Sequence, residues 1–294
     1  MKSAPFAYVR PGTVDEACAE LAADEDSKVL SGGQSLVPVL AMRLARPSTL
    51  VDINAVAGLD ELRLDGAWLS VGATVRQRTL ERAAETRRVP LLHKALPWVG
   101  HRELRSRGTV CGSLAHADPA AELPAVACCL DAQVEIAGSA GRRTVAARDF
   151  FVGAMTTALQ RDEVLVGVRF PVAAAGEGFA FGEIARRHGD FALAGLATKV
   201  HVADGKVTAI VAGFGVADRP VVRSVDDELV ELLHSASRAE LTNLLTERAA
   251  PLADEMVTTA GDAHAGADYR KRLVRTLVAR GLVAAYHDAV EGAR

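Results

Sequence analysis

The sequence is poor in cysteine, and the few it has fall in no metal-binding spacing. Cys18, Cys111, Cys128 and Cys129 form no C-x-x-C pair. The chain is therefore not expected to carry an iron–sulfur cluster of its own. The vicinal pair Cys128-Cys129 is also poor geometry for a metal or a disulfide. Cys18, Cys128 and Cys129 read as small buried hydrophobes; Cys111, inside a glycine-rich segment, is open. No H-E-x-x-H pair occurs, no G-x-x-x-x-G-K-[ST] occurs, and no G-x-G-x-x-G follows the first strand. Metalloprotease, P-loop and Rossmann sites are thus disfavoured. Long apolar runs are lacking, so no membrane span is expected. The opening Met1-Lys2-Ser3-Ala4-Pro5-Phe6 lacks the apolar core of a secretory leader, and cytoplasmic residence is the expectation. There is no basic stripe either. The 34 Lys and Arg face 37 Asp and Glu for a net charge of −3, which argues against a nucleic-acid partner. Hydrophobic residues fill 49% of the 294 positions, enough for large cores; the length suits about two domains.

What the chain does have is two glycine-rich segments, each where a hydrophobic strand ends. One is Leu30-Ser31-Gly32-Gly33-Gln34-Ser35-Leu36. The other is Thr109-Val110-Cys111-Gly112-Ser113-Leu114-Ala115-His116-Ala117-Asp118-Pro119. Glycines and small hydroxyls let backbone N–H groups approach an anion such as a pyrophosphate closely. The first segment also precedes a helix, whose N-terminus favours negative charge. Two such segments suggest one extended ligand held between two lobes. Taken alone, the first fits an ordinary tight strand–helix turn equally well.

The surrounding pattern is mixed. Residues 13–24 predict a helix, with Thr13 and Glu16 forming a capping box. Strands are read at 28–30, 50–53, 133–136, 143–145 and 164–170, with a strand pair turning at Asp65-Gly66. Helices are read at 36–44, 75–84, 91–99 and 122–130. Residues 173–178 read as a linker. Beyond it, strands at 192–202 and 207–214 join through Asp204-Gly205, a strong hairpin signal. Three helices finish the chain. One is capped by Ser237 and Glu240. The last spans 269–290, with Arg270, Lys271, Arg272 and Arg275 on its solvated side.

Polar candidates surround the second segment. Thr109, Ser113 and His116 lie near Gly112, and Glu122 opens the next helix. A carboxylate there can accept hydrogen bonds from ribose or ribityl hydroxyls. Asp118 and Glu122 also suit plain cap and first-turn acids, and His116 a hydrogen-bonded loop histidine. A third cluster, Glu183-Ile184-Ala185-Arg186-Arg187-His188-Gly189-Asp190-Phe191, offers Phe191 to flank a flat ring and Arg186 or Arg187 as positive charge. It serves equally as the charged end of a hairpin.

Together these segments resemble the FAD-binding medium subunit of the molybdenum hydroxylases, the family of carbon monoxide dehydrogenase medium subunits and the xanthine dehydrogenase flavin domain. Ser31 to Leu36, followed by Met42-Arg43-Leu44-Ala45-Arg46-Pro47, is similar to the family's A-G-G-Q-S-L and L-R-L-A-R-P. Thr109 through Pro124 is similar to T-I-G-G-S-L-A-H-A-D-P-A-A-D-L-P. Arg186 to Ala192 is similar to R-R-x-G-D-F-A. The ends, Pro5 to Pro11 and Asp268 to Arg272, also match, so nearly the whole chain is covered. Two departures stand out: Cys111 replaces the first glycine of a G-G pair, and Glu122 a frequent aspartate.

The resemblance implies an α+β fold: a two-lobed FAD-binding domain of the PCMH/vanillyl-alcohol-oxidase-like type, then a C-terminal antiparallel sheet with a helix bundle. It implies lobes at 1–57 and 58–172 and a C-terminal domain at 178–294. It implies an oxidoreductase subunit carrying FAD and passing electrons from [2Fe–2S] clusters of a small partner subunit to an external acceptor. A large partner subunit would hold the molybdopterin centre, the whole being a dimer of heterotrimers. The implied cofactor-binding residues are Ser31, Gly32, Gly33, Gln34, Ser35, Leu36, Thr109, Val110, Cys111, Gly112, Ser113, His116, Asp118, Glu122, Arg187 and Phe191. No catalytic or metal-binding residue is implied, because the cofactor carries the redox chemistry. The alternative is a free-standing flavoenzyme of the same fold acting on its own substrate. It would need an acid–base group near the flavin, for which His116 and His188 are the candidates.

Overall fold

The computed structural model of the chain describes residues 2–233 and 238–292. The fold is α+β and contains three principal sheets in chain order. The first is small and parallel, with Thr49–Asp52 between Ala7–Val9 and Lys28–Leu30. Its helix Val14–Ala23 starts at the expected capping box: Thr13 accepts from the Glu16 N–H while Glu16 reaches back to the Thr13 N–H. Ala17 and Cys18, each about one turn before Leu21, then face inward with it and are buried.

The second sheet is antiparallel, in the order Leu62–Asp65, Trp68–Gly72, Val164–Pro171, Gln133–Gly138, Gly141–Ala146. Its centre, Val164–Pro171, is buried through Val168, which explains the unbroken apolar run there. The third sheet orders Glu177–Ile184, Ala194–Ala203, Lys206–Phe214 and Val221–Ser224, all antiparallel. Asp204 and Gly205, both at positive φ (51° and 73°), make its predicted hairpin turn.

One face of the third sheet is covered by the long helix Ala267–Gly292, and the other receives helix Glu122–Cys129. Alternation along Glu177–Ile184 assigns the faces. At Gly178 a Cβ would overlap the Ala285 carbonyl and the Ala289 backbone, so this glycine permits the close seating of the long helix. Phe181 points the other way, stacked on Phe214 at 5.6 Å and tilted against Trp98 at 6.2 Å.

Several expectations are corrected. The supposed linker at 173–178 runs into a strand at Glu177, and the strand Val221–Ser224 has no counterpart in the sequence reading. The helix expected over 36–44 is Leu36–Ala41, because Arg43 takes a positive φ of 60° and turns the chain. The helices expected over 75–84 and 91–99 shorten to Gln77–Arg82 and Pro90–Ala95, each followed by a 3₁₀ turn. The Ser237 cap lies outside the described residues; its helix is Arg238–Arg248.

The largest correction is Arg270. It is not solvated but buried, 5% exposed. Its guanidinium donates to the carbonyls of Leu193, Gly215 and Ala265, and pairs with Asp262 at 2.6 Å. All three nitrogens of that fork are used, which makes the burial of its charge tolerable.

Gly178→Ala should keep the fold but lower stability by about 3 kcal/mol, the upper range for overpacking, because the obstructing atoms are backbone. Chemical denaturation against the wild type checks this.

Candidate functional site

The two glycine-rich segments touch. A Cβ at Gly32 would stand 2.5 Å from the Arg107 carbonyl oxygen, 2.8 Å from Gly108 Cα and 3.0 Å from Thr109 N. Only glycine permits that approach. Gly33 follows at φ 73° and swings the chain toward helix Leu36–Ala41. Ser31 Oγ lies 3.1 Å from Thr109 Oγ1, bridging the segments directly. The 107–110 side is anchored in turn: Gln77 N–H donates to Gly108 O at 2.9 Å, and Gln77 Nε2 to Thr109 O at 3.3 Å.

A polar brace backs this junction. Asn54 Nδ2 donates to Ser31 O at 2.9 Å and to Asp52 Oδ1 at 2.5 Å. Arg76 donates to Asn54 Oδ1 and to Arg107 O, each at 2.7 Å. Tyr8 O–H donates to Asp52 Oδ2. Burial works to raise the Asp52 carboxyl, but hydrogen bonds from Tyr8 and Asn54 outweigh it and hold the group below the usual carboxylate range. Asp52, Asn54 and Arg76 therefore fix the backbone of both segments. None stands out in the sequence, where they are scattered; the one available signal is an Asp-x-Asn closing a strand.

The second segment is not a loop along its length. Val110–His116 is helical, with Thr109 as N-cap accepting from Gly112 N at 3.0 Å. Val110, Cys111 and Leu114 are buried and pull this turn onto the core. The Cys111 thiol contacts Val71 O at 3.7 Å, and burial raises it far above the ordinary thiol range. Val110 and Cys111 thus present only backbone to the junction. Gly112 is required because a Cβ there would stand 2.6 Å from Thr109 Oγ1. The helix ends at Ala117, at φ 51°, and Asp118 then accepts from Ala120 N at 2.8 Å. His116 Nε2 lies 4.0 Å from Asp118 Oδ2.

The remaining candidates lie along the seam between this region and the third sheet. Gly215 N–H donates to Pro119 O at 2.7 Å across it. An open cleft of about 630 Å³ is lined by Asp118, Pro119, Phe191, Gly215, Asp262 and Arg270. Phe191 stands at its edge, 72% exposed. Arg187 is exposed on the loop before it and is not among the cleft's lining residues. Glu122 is the first residue of helix Glu122–Cys129. Burial, reinforced by Glu183 and Asp118, pushes its carboxyl up to about 8 against the opposing pull of its own backbone N–H and of Arg105. Burial likewise pushes Glu183 up to about 7.

Two adjoining main-chain turns braced by side chains present backbone N–H groups with little steric cover, a chemistry that suits an anionic cofactor. Residues 4–173 match the FAD binding domain of molybdopterin dehydrogenases, and residues 179–285 the C-terminal domain of the CO dehydrogenase flavoprotein. The chain is 37% identical over 286 residues to the nicotine 6-hydroxylase medium subunit of Paenarthrobacter nicotinovorans, covering 97% of this chain and 99% of that protein. It is 34% identical over 284 residues to the carbon monoxide dehydrogenase medium chain of Hydrogenophaga pseudoflava, covering 96% and 97%. Among solved structures, it superposes on carbon monoxide dehydrogenase from the same organism with a TM-score of 0.88, at 32% identity over 98% of this chain and 99% of that one. With quinoline 2-oxidoreductase from Pseudomonas putida 86 the TM-score is 0.87, at 36% identity over the full length of both. The chain belongs to the family of FAD-binding medium subunits of molybdopterin dehydrogenases. It is an oxidoreductase subunit and its cofactor is FAD. Among the described residues, no helix is long and apolar enough to cross a membrane.

The two raised carboxyls set a pH dependence. Their folded-state affinities for protons exceed those of the unfolded chain, so the stability they contribute is present below about pH 4.5 and declines as pH rises through the folded values of about 7 and 8. The FAD-free chain should therefore melt at progressively lower temperature from pH 5 to pH 8. Glu122→Gln should flatten that decline, as calorimetry across the range would register.

Proposed function

We propose that FAD lies across the junction of the two glycine segments, its pyrophosphate held mainly by backbone N–H groups of 32–36 and 109–113. The contact at Gly32 carries this proposal. It brings two N–H-bearing turns side by side at the start of two helices, with no side chain in the way. The residues present suit the cofactor in a second respect. Glu183 Oε2 is a buried acceptor without a donor, which a hydroxyl-rich ligand can satisfy.

On this reading Ser31 to Leu36 and Thr109 to Ser113 border the phosphates, Cys111 through its backbone N–H and Ser113 through its hydroxyl, while the N–H groups of Val110, Gly112 and Ser113 donate within the fold to Val75 O, Thr109 Oγ1 and Thr109 O. Glu122 accepts from cofactor hydroxyls. Phe191 shields a face of the ring, and Asp118 and His116 border the site. Arg187 contributes positive charge near the cleft mouth. Asp52, Asn54 and Arg76 touch no cofactor; they keep the two turns at the spacing the phosphates need.

Bound FAD supplies redox chemistry that accepts single electrons and releases them as a pair. We place this chain between a small subunit holding [2Fe–2S] clusters and an external acceptor, with a large molybdopterin subunit oxidising the substrate. The medium-subunit relatives and the near-complete coverage at 37% identity support that placement. The domain division proposed is 1–57, 58–172 and 178–294. A free-standing flavoenzyme is less well supported. It needs an acid–base group at the ring, yet His188 is exposed and makes edge contacts with Trp98 and His101.

Titrating the FAD-free chain with FAD should give one-to-one binding by flavin fluorescence. Gly32→Ala should weaken it by on the order of tenfold or more, since hydrogen bonds to a charged group contribute about 1.5–3 kcal/mol each. In the purified complex, anaerobic addition of substrate should bleach the flavin band; a band that stays unchanged would contradict the proposed electron route.

A further inference from the structure

The helix Arg102–Arg107 leads directly into the second glycine segment, and its burial is inverted. Leu104 is 39% exposed, while Arg105 beside it is 7% exposed and is the only buried residue of the helix. A helix of 6 residues has too few internal hydrogen bonds to stand alone, so its place depends on what anchors it. The anchor here is an ion. Arg105 Nε donates to Glu81 Oε2 at 2.9 Å, and Nη2 to Glu81 Oε1 at 3.4 Å. Nη1 donates to the carbonyls of Val99 and Gly100, at 3.0 Å each. Arg78 holds Glu81 a second time, at 2.8 Å. Burial works to raise the Glu81 carboxyl, but hydrogen bonds from Arg105 and Arg78 outweigh it and hold the group below the usual carboxylate range.

Both partners of this pair adjoin the junction of the glycine segments. Glu81 sits on helix Gln77–Arg82. At the start of that helix Arg76 donates to Arg107 O, and Gln77 donates to Gly108 O and Thr109 O. Two residues after Arg105 comes Arg107, whose carbonyl oxygen would stand closest to a Cβ at Gly32. The other end of helix Arg102–Arg107 is capped by His101. The His101 ring rests on Gly189, where a Cβ would stand 2.3 Å from Cε1. Gly189, at φ 86°, belongs to the loop between strand Glu177–Ile184 and Phe191. The two carbonyls that Arg105 grips immediately precede His101. An apolar pair of similar length would serve stability as well as a buried ion pair does. It could not hold a carboxylate and two carbonyls at once, as one planar fork can. We propose that Arg105 is a positioning residue for the cofactor: it sets one short helix, and with it both the glycine turn at 107–109 and the seat of the loop that leads to Phe191. This inference rests on the proposed placement of FAD at the junction.

The test compares the full chain with its Arg105→Lys, Glu81→Met/Arg105→Met and Gly32→Ala variants. Each is measured for FAD-free melting temperature, for FAD affinity by flavin fluorescence, and for the rate of tryptic cleavage after the exposed Arg186 and Arg187 without FAD. Paired methionines replace the ion pair by apolar side chains, so the double variant should melt near the wild type. It should nevertheless bind FAD roughly tenfold more weakly and be cut several-fold faster in the loop. Arg105→Lys keeps its charge beside Glu81 but reaches fewer acceptors, so it should fall between the two; it carries the test alone if the double variant does not fold. A merely structural residue would move the melting temperature and, in the folded chain, spare affinity and cleavage. Wild-type affinity or wild-type cleavage in a folded Arg105 variant therefore overturns the proposal. If Gly32→Ala weakens FAD while the Arg105 variants bind normally, Arg105 has no such role and the junction keeps its own. If the wild type takes up no FAD, both fall.

Discussion

The site depends on one steric fact: a hydrogen atom is the only substituent that fits at Gly32. Its neighbours are backbone atoms of Arg107, Gly108 and Thr109, which cannot rotate away as a side chain tip can. A larger residue there would drive apart turns over seventy positions apart in the chain, one following strand Lys28–Leu30 and the other, against the expectation of a strand, following helix Arg102–Arg107. On the proposed reading the phosphates are held mainly by backbone, beside small hydroxyls such as Ser35 and Ser113, and backbone N–H groups can be aimed only by setting the chain. On that reading the main-chain approach is the binding device, and the side chains around it serve to hold it.

Those side chains form a brace of mixed charge. Asp52 and Arg76 are joined through Asn54, whose amide accepts from one and donates to the other while also holding Ser31 O. Burying charges is favourable only when each finds partners. Here the partners include the carbonyls of Ser31 and Arg107, so the electrostatic cost of the brace is offset by fixing the two turns. Such a brace gives a cofactor site its rigidity without contacting the cofactor.

How much is legible in the sequence follows from the same distinction. The capping box at Thr13, the Asp204-Gly205 hairpin and the helix opening at Glu122 are readable because each is decided within four residues. The glycine segments are readable as chain positions without side chains. Their contact is not, since nothing local records that Gly32 meets Arg107. The helix at Val110–His116 is hidden by Gly112, a poor helix former in a place where a Cβ would crowd the capping Thr109 Oγ1. Asp52, Asn54 and Arg76 are invisible because their partners are set by sheet pairing.

Arg270 and Glu183 show where a pattern of charge misleads and where it instructs. Both are polar residues near the same seam, and in the sequence both fit a charged, solvated surface. Arg270 is buried with four of its five guanidinium N–H groups engaged by carbonyls and Asp262, so its charge is answered within the fold. Glu183 is half-buried, with one buried carboxylate oxygen that no donor answers. A protein under selection for stability alone would be expected to discard such a group, because an apolar residue of similar size would serve the core better.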